Sequence, residues 1–130
     1  MVLQEIELLR NLDHPNVIKL HEVYEDSKYI HLVMPLFKGQ ELYSRMKKKC
    51  LYKESDAVPV MRNFLSALAY LHENSIVHRD LKPQNLIFAS KTDNEDIKIV
   101  DFGFAIKLSS PEQTLIRACG SPGYVSPELI

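Results

Sequence analysis

Two short runs in this sequence carry side chains that could perform chemistry together. One is His78-Arg79-Asp80-Leu81-Lys82-Pro83-Gln84-Asn85, and the other is Asp101-Phe102-Gly103. Moving a phosphoryl group from a nucleotide requires a carboxylate that orients and deprotonates the attacking hydroxyl, a cation on the transferred phosphate, and oxygen ligands for Mg²⁺. Asp80, Lys82, and the pair Asn85 with Asp101 supply those parts. The bland alternative makes Asp80 and Asp101 turn or cap residues, a role that short polar side chains often fill. Other candidates are weaker. The histidines at 14, 21, 31, 72 and 78 lack the helical i, i+4 spacing with an acidic partner that zinc sites use. Cys119 reads as a partly packed, unreactive thiol.

Elements around these runs must position them. Val2, Leu3, Ile6 and Leu9 recur at helical spacing, so residues 2–10 form a helix with one buried stripe. Pro15 stops helix continuation. Residues 17–24 and 29–34 read as strands of a hairpin around the turn at 25–27. A short helix over 41–49 ends in three lysines, where cations suit the negative end of the helix dipole. Ala57, Val60, Met61, Phe64, Leu65, Leu68 and Leu71 mark a longer helix ending near Asn74. With Asp56 as its N-cap, Pro59 falls at the third helical position, where its missing N–H costs nothing. Residues 86–88 and 97–100 read as strands around a polar turn, and the chain from Gly103 onward reads mostly as loop. The order of elements implies an α+β arrangement of two lobes joined near residues 35–39.

The catalytic run, read as H-R-D-L-K-x-x-N, and the D-F-G run together resemble the eukaryotic protein kinases. The six specified identities in residues 78–85 arise by chance in a chain this long with probability on the order of 10⁻⁶. The resemblance covers the whole chain and implies an incomplete protein-kinase-like two-lobe fold. Residues 1–34 would be the remnant of the N-lobe, 35–40 the hinge, and 41–130 the first part of the C-lobe. It implies ATP and Mg²⁺ as cofactors, with Asp80 and Lys82 catalytic and Asn85 and Asp101 on the metal. Glu5 looks like the glutamate of the C-helix that pairs with a strand lysine, and His14-Pro15-Asn16 matches the loop after that helix. Met34 falls at the gatekeeper position, and Pro35 to Phe37 where the hinge meets adenine. Leu42, Leu86 and Ile87 are similar to the apolar residues beneath the adenine ring. Leu9, Leu20, His78 and Phe102 resemble the stack that links the lobes in active kinases. Lys82 implies serine or threonine acceptors in a protein substrate. The runs Gly39-Gln40-Glu41-Leu42, Asp101 to Ala105 and Gly120-Ser121-Pro122-Gly123-Tyr124 look most like the calcium/calmodulin-dependent group.

The resemblance carries further expectations. Glu41 matches a glutamate that in relatives contacts the ATP ribose and an arginine three residues before the acceptor, so an arginine-directed substrate is expected. Gln84 stands where some relatives carry a second glutamate. Arg117 occupies the position where many relatives phosphorylate a threonine to pair with the arginine at Arg79. Ordering of that loop is therefore expected from Glu112 or from a displaced phosphothreonine at Thr114. No glycine-rich G-x-G-x-x-G run and no strand lysine precede Glu5, and the sequence stops just after Ser126-Pro127-Glu128, which is similar to the A-P-E motif. The chain is thus expected to be a partial domain, inactive in isolation, from an active parent. The alternative is a truncated pseudokinase that binds nucleotide or protein.

Composition bounds the rest. Sixteen basic and seventeen acidic residues leave a net charge of −1, so no overall field draws the chain to nucleic acid or an anionic membrane. No apolar run approaches the ~20 residues of a membrane-spanning helix. Cys50 and Cys119 lack C-x-x-C spacing, and no N-x-S/T site occurs, which points to a reducing compartment, cytoplasmic or nuclear. No calmodulin-binding segment or EF-hand loop is present, so calmodulin dependence has no sequence signal here.

Overall fold

A computed structural model of the chain describes residues 2–49 and 52–129; Cys50 lies outside them. Helix α1 spans Val2–Arg10, and its buried side chains are Ile6, Leu8 and Leu9. Val2 and Leu3, expected in the stripe, are exposed. Leu3 lines an open groove against Val23 and Ile30, and burial begins at Ile6 and continues to Leu12 and Val17.

Strands β1 (Glu22–Glu25) and β2 (Ile30–Val33) form the expected antiparallel hairpin, pairing Val23 with Leu32 and Tyr24 with His31. Asp26 fixes the turn: its carboxylate accepts the N–H groups of Lys28 (2.7 Å) and Tyr29 (2.9 Å) and meets His31 Nε2 at 2.7 Å. The first strand is shorter than its β-branched run suggests. Val17 and Ile18 turn instead onto a later strand, where Ile18 N–H donates to the Ile99 carbonyl (3.0 Å) and Ile99 N–H to that of Asn16 (2.8 Å). The apolar surface there outbids hairpin extension.

A connector leads from Met34 to helix α2 (Leu42–Lys48), and helix α3 runs over Glu54–Glu73. Helix α3 starts two residues before Asp56, which the sequence suggested as its cap. Asp56 lies in the first turn and accepts the Lys53 N–H (3.3 Å) and the Lys49 ammonium (2.9 Å). Pro59 therefore sits inside the helix. The hydrogen bond it deletes falls on Ser55, whose exposed position leaves that carbonyl to water. Val60, Phe64, Ala67 and Leu71 form the inward stripe, whereas Met61 and Leu65 are exposed together with Val58.

Three further strands complete the positioning frame. β4 (Leu86–Phe88) pairs with β5 (Ile97–Ile99), as the apolar runs indicate. β3 (Ile76–Val77) pairs with β6 (Ile106–Lys107), a two-residue ladder too short to have a period of its own. Phe88, Ile97, Ile99, Leu71, Leu9 and Phe102 form the centre of the core.

The connector lies against β4: Lys38 N–H donates to the Ala89 carbonyl (3.2 Å) and Phe88 N–H to that of Gln40 (3.1 Å). Between them Gly39 has no room for a side chain, because a Cβ there would stand 2.1 Å from the Phe88 carbonyl oxygen. On the other side of Phe88 the Arg45 guanidinium stacks at 3.7 Å from the ring centroid. It also donates to the carbonyls of Ser90 (2.6 Å) and Asp93 (2.7 Å), tying α2 to the β4–β5 loop. Since the blocking atoms at Gly39 are the carbonyl and Cβ of the buried Phe88, Gly39→Ala should cost about 1–3 kcal/mol, read as a lowered urea midpoint. An unchanged midpoint would show that the connector is not held against β4.

Candidate active site

His78 follows β3 and is almost wholly buried, at 1% exposure. Its Nδ1 accepts the Asp80 N–H (3.3 Å), so the ring proton sits on Nε2, which donates to the Val100 carbonyl (3.0 Å). The ring meets Phe102 edge-on, with centroids 4.9 Å apart. His78 thus joins the catalytic run to the Asp101-Phe102-Gly103 run in two directions. Asn85 adds a third link, its carbonyl accepting the Val100 N–H at 3.0 Å. Arg79 and Asp101 hold positive φ, 69° and 62°, a conformation that costs a non-glycine residue about 1–3 kcal/mol. These links hold both residues in it, and Arg79 Nε donates to the Phe104 carbonyl at 2.6 Å.

The Asp80 carboxylate is buried, with both oxygens hydrogen-bonded. Oδ2 meets the Lys82 ammonium at 2.8 Å and the Asn85 amide at 3.1 Å, and Oδ1 accepts the Ser121 hydroxyl at 2.7 Å. Ser121 Oγ in turn accepts from Lys82 Nζ at 2.5 Å. Burial pushes the Asp80 carboxyl up, but the hydrogen bonds from Lys82, Ser121 and Asn85, with the Lys82 charge, outweigh it and hold the group below its ordinary value. Asp80 is therefore ionised at neutral pH. Lys82 spends two donors here and keeps a third.

Through the bond from Val100 N–H to the Asn85 carbonyl this group adjoins the wall of a cleft of about 480 Å³, lined by Val100 with Glu5, Met34, Pro35, Phe37, Ile87 and Asp101. Five of the six residues singled out for nucleotide contact thus meet around one space. Glu41 stands apart at the N-terminal end of α2, its backbone bridged to Ile87. Leu42 and Leu86 are buried in the core and do not line the cleft. Burial, and then the nearby Asp101 charge, raise the Glu5 carboxyl above its ordinary value. Among the described residues Glu5 has no ion-pair partner. Leu9, Leu20, His78 and Phe102 are all buried.

Asn85 and Asp101 offer the oxygen ligands a hard cation takes. The Asn85 NH₂ is committed to the Asp80 carbonyl (2.8 Å) and carboxylate, which leaves its amide oxygen as the free donor atom. Asp101 accepts only the Gly103 N–H, at 3.3 Å. Ser121 joins the Asp80 cluster yet stood out in the sequence only as part of the Gly120 to Tyr124 run. Its contact with Asp80 spans distant parts of the chain, so no local spacing could reveal it.

A family model described as protein kinase domain matches residues 1–130. A probable myosin light chain kinase of Dictyostelium discoideum is 44% identical over 131 residues, covering 100% of this chain and 41% of that protein. The calcium/calmodulin-dependent protein kinase type IV of Homo sapiens is 45% identical over 130 residues, 100% of this chain and 27% of that protein. The calcium/calmodulin-dependent protein kinase type 1 of Macrobrachium nipponense is 44% identical over 128 residues, 97% and 36% respectively. The chain spans well under half the length of these relatives.

Burial holds the His78 imidazole below its ordinary value of 6.5, against the opposing pull of the Val100 carbonyl and the charges of Asp101 and Asp80. A histidine depressed in the fold binds its proton more readily when unfolded, so its contribution to stability is complete above 6.5 and is lost as pH falls below that value. Urea midpoints should therefore decline on acidification below pH 6.5, and His78→Gln should flatten that slope while lowering stability at neutral pH. An equal slope in both proteins would assign the titration elsewhere.

Proposed function

This chain belongs to the protein kinase domain family, and we propose that it carries the centre that transfers the γ-phosphate of MgATP to serine or threonine hydroxyls of protein substrates. The observation that carries this reading is the buried Asp80 carboxylate with Lys82, Asn85 and Ser121 on its oxygens, set beside the cleft that Asp101 lines.

The adenine lies in the apolar part of the cleft, against Ile87 and the connector, where Pro35 offers a carbonyl and Phe37 an N–H. Pro35 lacks an N–H, but its carbonyl remains an acceptor. Asp80 stays ionised and orients the incoming hydroxyl. It takes the proton late, because its depressed basicity suits a largely dissociative transition state that needs little deprotonation beforehand. The uncommitted Lys82 donor faces the phosphoryl group as negative charge spreads over it. Ser121 keeps Lys82 and Asp80 in register. Asp101 and the Asn85 amide oxygen would hold Mg²⁺, which would supply charge neutralisation for the phosphates. Glu5, raised and without a cation, is placed to receive a lysine from a part of the domain beyond these residues. The assay accordingly uses a longer chain that contains them.

In that domain Asp80→Asn should cut kcat by ~10²–10⁴ with a much smaller change in nucleotide affinity. Unchanged turnover would remove Asp80 from the chemistry. A wild-type domain that binds nucleotide yet never transfers phosphate would favour a pseudokinase acting as a binding module.

Substrate choice rests on Glu41. Glu41 stands at the start of α2 with its backbone bridged to Ile87, a residue of the cleft wall, and arginine's planar fork suits a carboxylate partner. A peptide array should show preference for arginine three residues before the acceptor, reduced in Glu41→Gln. A flat profile at that position would overturn this assignment.

A further inference from the structure

On the face of α1 turned away from the nucleotide cleft lies a second cavity of about 190 Å³, bounded by α1, the end of α3 and the β3–β6 pair. Its floor is made by Leu8, Leu12 and Ile76, all buried. Its walls are polar: Gln4 and Glu7 on α1, Asn11 just after it, Asn74 after α3, and Lys107 on β6.

The asparagines are held in a defined way. Asn11 donates its side-chain N–H to the Glu7 carbonyl (2.8 Å), and Asn74 donates to the Tyr70 carbonyl (2.8 Å). Each amide thereby spends one of its two N–H groups on its own helix and keeps Oδ1 as an acceptor for something outside. Both asparagines stand just past a helix, α1 ending at Arg10 and α3 at Glu73. Two negative helix ends and the Glu7 carboxylate therefore converge on one small space with an apolar floor.

The space selects its occupant by size and charge. At this volume it lies below the roughly 300 Å³ where drug-sized ligand sites begin, so it suits one side chain. An anion would face Glu7 and both helix ends. An apolar side chain would cover the floor but offer nothing to the amide oxygens. A long side chain with an apolar stem and a planar cationic head meets both demands, with its methylenes on Leu8, Leu12 and Ile76 and its fork between Glu7 and the asparagine oxygens. We propose that this cavity is the docking site for an arginine side chain of a protein partner. The contact bridges α1 to α3 and to β6, the strand that follows Asp101-Phe102-Gly103. It therefore fixes the helix that carries Glu5. Lys107 opposes it, as the one cation among the cavity's lining residues.

The test is an NMR titration of the protein with N-acetyl-arginine amide, with N-acetyl-norleucine amide as the uncharged comparison. The arginine probe should shift the amides of Leu8, Asn11, Asn74 and Ile76 in a saturable manner, and the norleucine probe should not. Glu7→Gln, at an exposed position that the core does not need, should weaken binding about fivefold, and Lys107→Gln should tighten it. Absence of shifts at those four amides, an equal response to norleucine, or binding unaltered in Glu7→Gln would each overturn the proposal. The readout is independent of phosphoryl transfer, so failure of the catalytic reading leaves this one standing, and the reverse.

Discussion

The Asp80 carboxylate is a full charge placed where water barely reaches, and most of the local architecture follows from keeping it there. A buried ion left alone costs several kcal/mol, on the order of its desolvation penalty. Here Lys82 supplies the opposite charge, and Asn85 and Ser121 supply donors to the remaining lone pairs. Each of these partners comes from a different local conformation: an extended lysine, the 3₁₀ turn Pro83–Asn85, and the loop after Gly120. Removing any of them would leave the charge underserved. The catalytic run and the loop near Ser121, far apart in the sequence, are therefore tied together by electrostatics as much as by packing.

The same demand explains why strained backbone survives at Arg79 and Asp101. His78 cannot be replaced by an apolar ring of equal size without loss, because it accepts from Asp80 N–H and donates to the Val100 carbonyl at once. Neutral imidazole alone among side chains of that shape can do both. Burial keeps it neutral, so the desolvation that would harm a charged group preserves this one's function as a two-way link. The two positive-φ residues flank that link, and their strain is offset by the hydrogen bonds it organises.

Much of this was legible in the chain. The chemistry-bearing residues and both helices longer than two turns follow from residue type and period, and the β1–β2 and β4–β5 pairs from apolar runs broken by polar turns. What was not legible shares one cause, since each case is decided by partners remote in sequence. The β3–β6 ladder is two residues long and exists because the segments on either side are already anchored. Val17 and Ile18 have strand character, but which strand they join depends on β5. Pro59 is tolerated inside α3 because the carbonyl it orphans happens to face solvent. Ser121 and Arg45 look like ordinary loop and helix residues until Asp80 and Phe88 are brought against them. Leu86 went to the core because β4 alternates its faces, and Leu42 because it is the buried residue of α2, which left only Ile87 of the three for the cleft.

The position of Glu5 is the least self-contained part of the site. Helix α1 is held from its C-terminal end: Asp13 N–H donates to the Tyr70 hydroxyl (2.8 Å), His14 meets Ser66 (3.3 Å), and Asn16 donates to the Ile97 carbonyl (2.8 Å). Lys98 adds a bond to the Pro15 carbonyl at 2.5 Å. The segment after α1 is thus riveted to α3 and β5, whereas the first turn, with Val2 and Leu3 exposed, has no comparable anchor among the described residues. A helix fixed at one end pivots about that end, and Glu5 lies half its length from the pivot. Small rotations there move the Glu5 carboxylate relative to Asp101 while leaving the Asp80 cluster untouched, since no hydrogen bond connects them among the described residues. The chemistry of Asp80 and the placement of Glu5 are therefore separable, the first set by the fold's own buried charges and the second open to whatever engages the free faces of α1.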